Sequence, residues 1–369
     1  MRTLLAVCVI AIGTLAGLAR AGEPAIVGIE RVTQIMVESV LAGDTNGYLE
    51  VVSRTDPIFW TEQRNWASDL REHTPALFEI VLDREKLIEQ RDGSVTMPME
   101  MRWKLSPEAR QRSVSFVARF VRGESEWQYA GEHWTRVEAA GAEVLVDPEL
   151  ATTGLHIAHT MPRVRSAIDT LMDASIEGQP QVKLYRTMAH LQHSIYLSYV
   201  EPLGGWNEPG EAIKLVHSQQ QTGRALRTLL AHEYGHFVTF AMGEHATDMP
   251  WWVLEGVAEW CAAAFDRSAA TMDRRVRRWA AGDNLRQWHQ LADFRGEAMD
   301  HMSHVYLQGH HMVQFIIDRS GREAMLAWLR AMANGSNLDD ATLTVLGLSF
   351  EELDAAWRAQ IVPEPALAD

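Results

Sequence analysis

His232, Glu233 and His236 stand in the run Leu229-Leu230-Ala231-His232-Glu233-Tyr234-Gly235-His236-Phe237-Val238, an H-E-x-x-H pattern inside an apolar, helix-compatible stretch. A four-residue spacing puts both imidazoles on one face of a helix, where they can reach the same ion. Glu233 projects close to that face, within reach of a water on the metal. Two histidines do not complete a catalytic zinc site, which takes three protein ligands and keeps a fourth position open. Carboxylates follow in Trp251-Trp252-Val253-Leu254-Glu255-Gly256-Val257-Ala258-Glu259-Trp260, with eighteen residues between His236 and Glu255. Glu259 lies one helical turn after Glu255 on nearly the same face, so position alone leaves open which of the two binds metal. The competing reading is two histidines packed or exposed on an ordinary helix, with Glu259 a solvated carboxylate.

Trp252, Glu255, Gly256 and Ala258 form a W-x-x-E-G-x-A segment at this spacing after the H-E-x-x-H. In that combination the chain resembles the gluzincins, the peptidase MA-like group that includes thermolysin-like and aminopeptidase N-like enzymes. The resemblance implies one zinc ion per chain, with Glu255 as third ligand beside His232 and His236. A metal-bound histidine commonly passes its other N–H to a carboxylate, and Glu259 is placed for that. The specific motifs cover residues 232 to 260, and the organisation extends over roughly 150 to 360. The Gly-x-Met-Glu-Asn element of aminopeptidase N-like enzymes is missing, Gly204-Gly205-Trp206-Asn207-Glu208 being a faint echo, so nothing identifies a binder for a substrate N-terminus.

The implied activity is that of a zinc-dependent metallopeptidase acting on a peptide or protein. Zinc lowers the pKa of a bound water, and Glu233 takes its proton as general base before passing it to the departing amine. A developing oxyanion needs a further donor, which relatives draw from a later helix. Tyr306, in His304-Val305-Tyr306-Leu307-Gln308-Gly309-His310, is the candidate catalytic residue; His310 is the alternative, and core packing is the ordinary fate of such a Tyr. His301, His304 and His311 read as surface or rim residues. Two other functions compete: a non-catalytic ligand-binding protein whose zinc only stabilises the fold, and a zinc hydrolase of a non-peptide amide or ester. Glu233 speaks against the first, because a structural site needs no base.

The elements that must position these groups read as α+β. Residues 25 to about 148 form a first unit, with helices at 26–41, 48–52 and 61–73 followed by strands at 76–89, 95–105, 113–122, 127–137 and 143–146. Met97, Met99, Met101, Trp103 and Leu105 alternate with Pro98, Glu100, Arg102 and Lys104, which gives that strand one apolar face. Asp92-Gly93 supplies the turn before it. Helices followed by a curved antiparallel sheet, with a break at Ala42-Gly43-Asp44, resemble nuclear-transport-factor-like (SnoaL-like) domains, which sometimes hold a small ligand. His133 and Trp134 in that part read as packed or rim residues. A mainly helical unit with a small sheet spans 150–362: strands at 182–185 and 212–216, and helices at 187–199, 226–241, 252–265, 270–280, 304–319, 323–333 and 350–360. Ile213 to Val216 is expected to be a sheet edge beside the zinc helix, either pairing with an extended substrate or purely structural.

The chain has 369 residues, 47% of them hydrophobic, 22% charged, and a formal charge of −15. That balance fits two folded domains and argues against nucleic acid as a partner, since phosphate binding relies on a basic surface. Arg2, the apolar run Leu4 to Leu18 and Ala19-Arg20-Ala21 read as a signal peptide over 1–21, giving an extracytoplasmic mature chain that starts near Gly22. Val7 before Cys8 is a poor lipoprotein context. Removal of Cys8 leaves Cys261 without a disulfide partner in the mature chain. No later stretch is apolar enough to cross a membrane.

Overall fold

The computed structural model describes residues 24–139, 142–218, 223–266 and 269–361. The expected signal peptide and the Pro363-Glu364-Pro365 tail lie outside the described residues. Two compact units divide between His133 and Trp134.

In the first unit, α1 (Ala25–Ala42), α2 (Thr45–Glu50) and α3 (Pro57–Ser68) precede β1 (Leu77–Leu82), β2 (Ile88–Glu89), β3 (Val95–Lys104), β4 (Arg112–Arg122) and β5 (Trp127–Glu132). Gly43 ends α1 in the left-handed region at φ 64°, and the Asp44 side chain accepts from Gly47 N to start α2, so the expected break falls where its residue types demand. The third helix begins earlier than 61 because the Asp56 carboxylate accepts from Ile58 and Phe59 N and Pro57 opens the first turn. The sheet is antiparallel in the order β1-β3-β4-β5, with β2 also on β3. Met97, Met99, Met101 and Trp103 are buried, as the alternation requires, and α1 packs on β1 and β5.

The second unit comprises β6 (Thr135–Ala139), β7 (Ala142–Val146), α4 (Ala151–Met172), β8 (Gln181–Tyr185), α5 (Met188–Ile195), β9 (Gly205–Trp206) and β10 (Ile213–Val216). The helical part follows as α6 (Arg224–Phe240), α7 (Trp251–Ala263), α8 (Ala269–Ala281), α9 (Met302–Ser320), α10 (Arg322–Ala333), α11 (Leu338–Leu346) and α12 (Phe350–Ile361). Its sheet has the order β6-β7-β8-β10-β9, with β7, β8 and β10 parallel and the outer strands antiparallel.

Two expectations change here. The run 127–137 is two strands in two sheets, and β7 pairs in parallel with β8 and not with the first sheet. The division therefore falls at 133/134 and not near Pro148. Val144, Leu145 and Val146 are all buried in succession, which suits a strand packed on both faces of a mixed sheet, and α4 packs on β6 and β7. Nor is β10 an edge: Lys214 and Leu215 pair outward with Trp206 and Gly205, which makes β9 the edge. Trp134 is a packed residue, edge-on to Tyr185 at 5.4 Å. Among the described residues, no helix is long and apolar enough to cross a membrane.

Candidate active site

Three helices build the site. In α6 the apolar side chains Leu226, Leu230, Tyr234 and Val238 are buried in the same hydrophobic core as Val253 and Val257 of α7. α7 packs in turn on α9, and two glycines set how closely. A Cβ at Gly256 would fall 2.5 Å from the Gly309 carbonyl carbon, and one at Gly309 would fall 2.3 Å from Trp252 O. The backbones of α7 and α9 touch there, which gives the Gly of the E-G element a packing role and brings the first turns of α9 to the metal face.

His232 Nε2 lies 3.3 Å from His236 Nε2 and 3.2 Å from Glu255 Oε2, and His236 Nε2 lies 3.5 Å from the same Oε2. Donors about 2.0–2.1 Å from a tetrahedral zinc stand about 3.3 Å apart, so the three separations fit the edges of a zinc coordination polyhedron. Imidazole and carboxylate are also the donor types such an ion takes. Among the described residues, this is the one cluster of His, Cys, Asp and Glu donors close enough to share a metal.

Two of the three candidate ligands are held from behind. Glu259 Oε1 is 3.2 Å from His232 Nδ1, leaving Nε2 for the shared point. Trp251 Nε1 donates to Glu255 Oε1 at 2.8 Å, so the Glu255 carboxylate divides its oxygens between the indole and the histidines. Burial alone would raise the Glu255 carboxyl, but the charge of His236 and hydrogen bonds from His232 and His236 hold it well below the usual range. Burial disfavours charge on His232 too, and hydrogen bonds to Glu255 and Glu259 outweigh it, raising that imidazole well above its ordinary value. A field that favours a proton there favours any cation held among the three donors.

Glu233 is 4% exposed and lines the same cavity, of about 1190 Å³, as His232, His236 and Glu255. Burial raises its carboxyl, with His232 and His236 opposing and Glu255 and Glu259 adding to the rise. Over it lies β9: a Cβ at Gly205 would sit 2.5 Å from Glu233 Oε1. Gly205→Ala must therefore displace the carboxylate. We expect it to keep zinc and to lose about a hundredfold in kcat, the scale of a misplaced reacting group. An unaltered kcat would show that the contact positions nothing.

A family model described as the Peptidase MA superfamily matches residues 168–363, more than half of the chain. The chain belongs to the peptidase MA superfamily. Solved structures similar to it include a mutant M1 zinc metallopeptidase from Deinococcus radiodurans, at 14% identity and a TM-score of 0.41, covering 80% of this chain and 64% of that one. Another is an M1 zinc metallopeptidase mutant from the same organism bound to a Tyr-Ser-Ala substrate, at 15% identity, 80% and 64% coverage and a TM-score of 0.37. The chain thus spans about 64% of the length of these two structures. Comparison with curated proteins gives no match.

In this peptidase MA superfamily chain, the H-E-x-x-H residues and Glu255 come together as their spacing implies, and Glu259 stands behind His232. Tyr306 also arrives: its ring stacks on His232 at 5.8 Å and lines the cavity. Burial, followed by the charges of Glu255 and Glu233, raises the Tyr306 phenol well above its ordinary value, so it stays protonated and able to donate. His310 is buried one turn on and is not among the cavity-lining residues. His304 stacks on Trp279 at 4.0 Å, and His311 bonds to Asp273 and Trp357; neither lines the cavity. Trp251 and Gly205 escaped sequence reasoning. Trp251 stands four residues before Glu255, a helical spacing that places its indole beside that carboxylate, whereas nothing local ties Gly205 to Glu233.

Proposed function

We propose that the protein is an exported zinc metallopeptidase that hydrolyses peptide bonds. The observation that carries this reading is the juxtaposition of a zinc-sized triangle of donors with a buried carboxylate that is no part of it, in one open cavity. A site that only braced the fold would have no use for Glu233.

His232, His236 and Glu255 would hold one zinc, which supplies a Lewis acid for the substrate carbonyl and makes water acidic enough to attack at neutral pH. Glu233 Oε1 or Oε2 takes the proton of the attacking water and returns it to the departing nitrogen. A carboxyl raised by burial is a stronger base than an exposed one, which suits it to both transfers. Tyr306 donates its hydroxyl proton as a hydrogen bond to the oxygen that gains charge. Trp251 and Glu259 hold ligand atoms in register. Among the described residues β9 is the outer strand of its sheet and lies beside Glu233, a place where an extended peptide can add a strand, which supports a peptide as substrate over a compact amide or ester.

Export rests on the apolar N-terminal run, and a mature chain starting near Gly22 by mass spectrometry is the expected result; retention of Met1 in exported protein would contradict it. The activity is tested by incubating purified protein with a mixture of unrelated peptides. We expect cleavage that chelation abolishes and added zinc restores. Cleavage indifferent to chelation, or none with zinc bound, would overturn the reading.

A further inference from the structure

Five of the residues that line the cavity form a continuous row of aromatic rings. Tyr199 lies 5.5 Å from Trp206, Trp206 5.6 Å from Phe294, Phe294 4.9 Å from Trp251, and Trp251 6.3 Å from Tyr306, and all five line the cavity. From Tyr199 the row passes through Trp206, which follows Gly205 on the edge strand, and ends at the candidate metal site, where Tyr306 stacks on His232. Trp251 turns its indole N–H away from the row to Glu255, so its ring is fixed by the hydrogen bond as well as by Phe294.

Most rings in a fold are covered by their own core. Trp206 and Phe294 are only half-buried, and what they face is open cavity. Apolar ring surface left in water is costly, and covering it with another ring adds edge and face contacts that an aliphatic chain cannot make. Acidic groups around the same cavity, among them Asp248, Asp266, Asp293 and Glu259, outnumber Arg224 and Arg295 there and disfavour a negatively charged guest.

We propose that this wall is the specificity subsite of the enzyme and receives an aromatic side chain of the peptide substrate. The proposal rests on the metallopeptidase reading for the nature of the ligand. Trp206 and Phe294 supply the contact surface, Tyr199 backs both, and Trp251 fixes the distance between the bound ring and the carboxylate ligand.

The test uses zinc-loaded Glu233→Gln protein titrated with alanine-based peptides, acetylated and amidated at their ends, that carry one Phe, Leu, Glu or Ala at a central position. The Phe peptide is expected to bind about tenfold more tightly than the Ala peptide, with Leu between them and Glu weakest. Phe294→Ala in the same background should bring the Phe to Ala ratio close to unity, while Phe294→Leu keeps part of it. Trp206→Ala gives an independent second variant should Phe294→Ala fail to fold. Equal affinity for Phe and Ala, Leu bound more tightly than Phe, no binding of any peptide, or a ratio untouched by folded wall variants would each overturn the proposal. Wild-type protein that binds the Phe peptide preferentially yet cleaves none would contradict the metallopeptidase reading and leave the subsite standing. Cleavage without regard to the aromatic residue would do the opposite.

Discussion

Glu233→Gln is expected to lower peptide turnover about a thousandfold while leaving zinc bound. The amide has the same shape as the carboxylate and fits the same space beneath Gly205, but it accepts no proton, so the base is removed and its packing is kept. Zinc stays because Glu233 contributes no donor to the triangle of His232, His236 and Glu255. Nor should the fold suffer. Burial already disfavours charge on this carboxyl, and Glu255 and Glu259 add repulsion, so a neutral side chain is tolerated at least as well there. The measurements are kcat, zinc content and melting temperature on one preparation. Turnover equal to wild type would remove Glu233 from its role, and loss of zinc would reassign it to the metal.

The second large effect is on the metal itself. Glu255→Ala deletes one donor of three and leaves the Trp251 indole N–H without its buried acceptor, so zinc affinity should collapse and the rise in melting temperature on adding zinc should vanish. Glu259→Ala and Trp251→Phe remove only groups that hold a ligand in place, for which a loss of about 10–100-fold in affinity is expected. Competition with a chromophoric chelator ranks the three variants. If Glu259→Ala proved the most damaging, ligand and supporting carboxylate would have to be exchanged.

The candidate ligand set was legible in two steps. A spacing of four on one helix fixes the face of His232 and His236, whereas position left Glu255 and Glu259 open and the resemblance of the W-x-x-E-G-x-A segment to the gluzincins is what pointed to Glu255, the carboxylate that lies within reach of both histidines. Gly256 belonged to that pattern, yet its reason, a backbone contact with Gly309 fifty-three residues later, appears only once α7 and α9 are packed. Gly205 was hidden for the same cause: its contact with Glu233 depends on β9 folding back along β10. The apparent strand 127–137 misled because its β-forming residues run on past His133, whereas the chain leaves one sheet and enters another there. The long helix α4, which carries Pro162 in its interior and packs on β6 and β7, was not among the expected elements. Periodicity reports which face of an element is apolar, and it does not report which other element covers that face.

Crystals of the zinc-loaded protein measured on both sides of the zinc absorption edge would locate the ion directly. One anomalous peak per chain is expected, bonded to His232 Nε2, His236 Nε2 and Glu255 Oε2, with Glu233 nearby but unbonded. A peak elsewhere, or zinc bonded to the two histidines with the Glu255 side chain turned away, would contradict that arrangement.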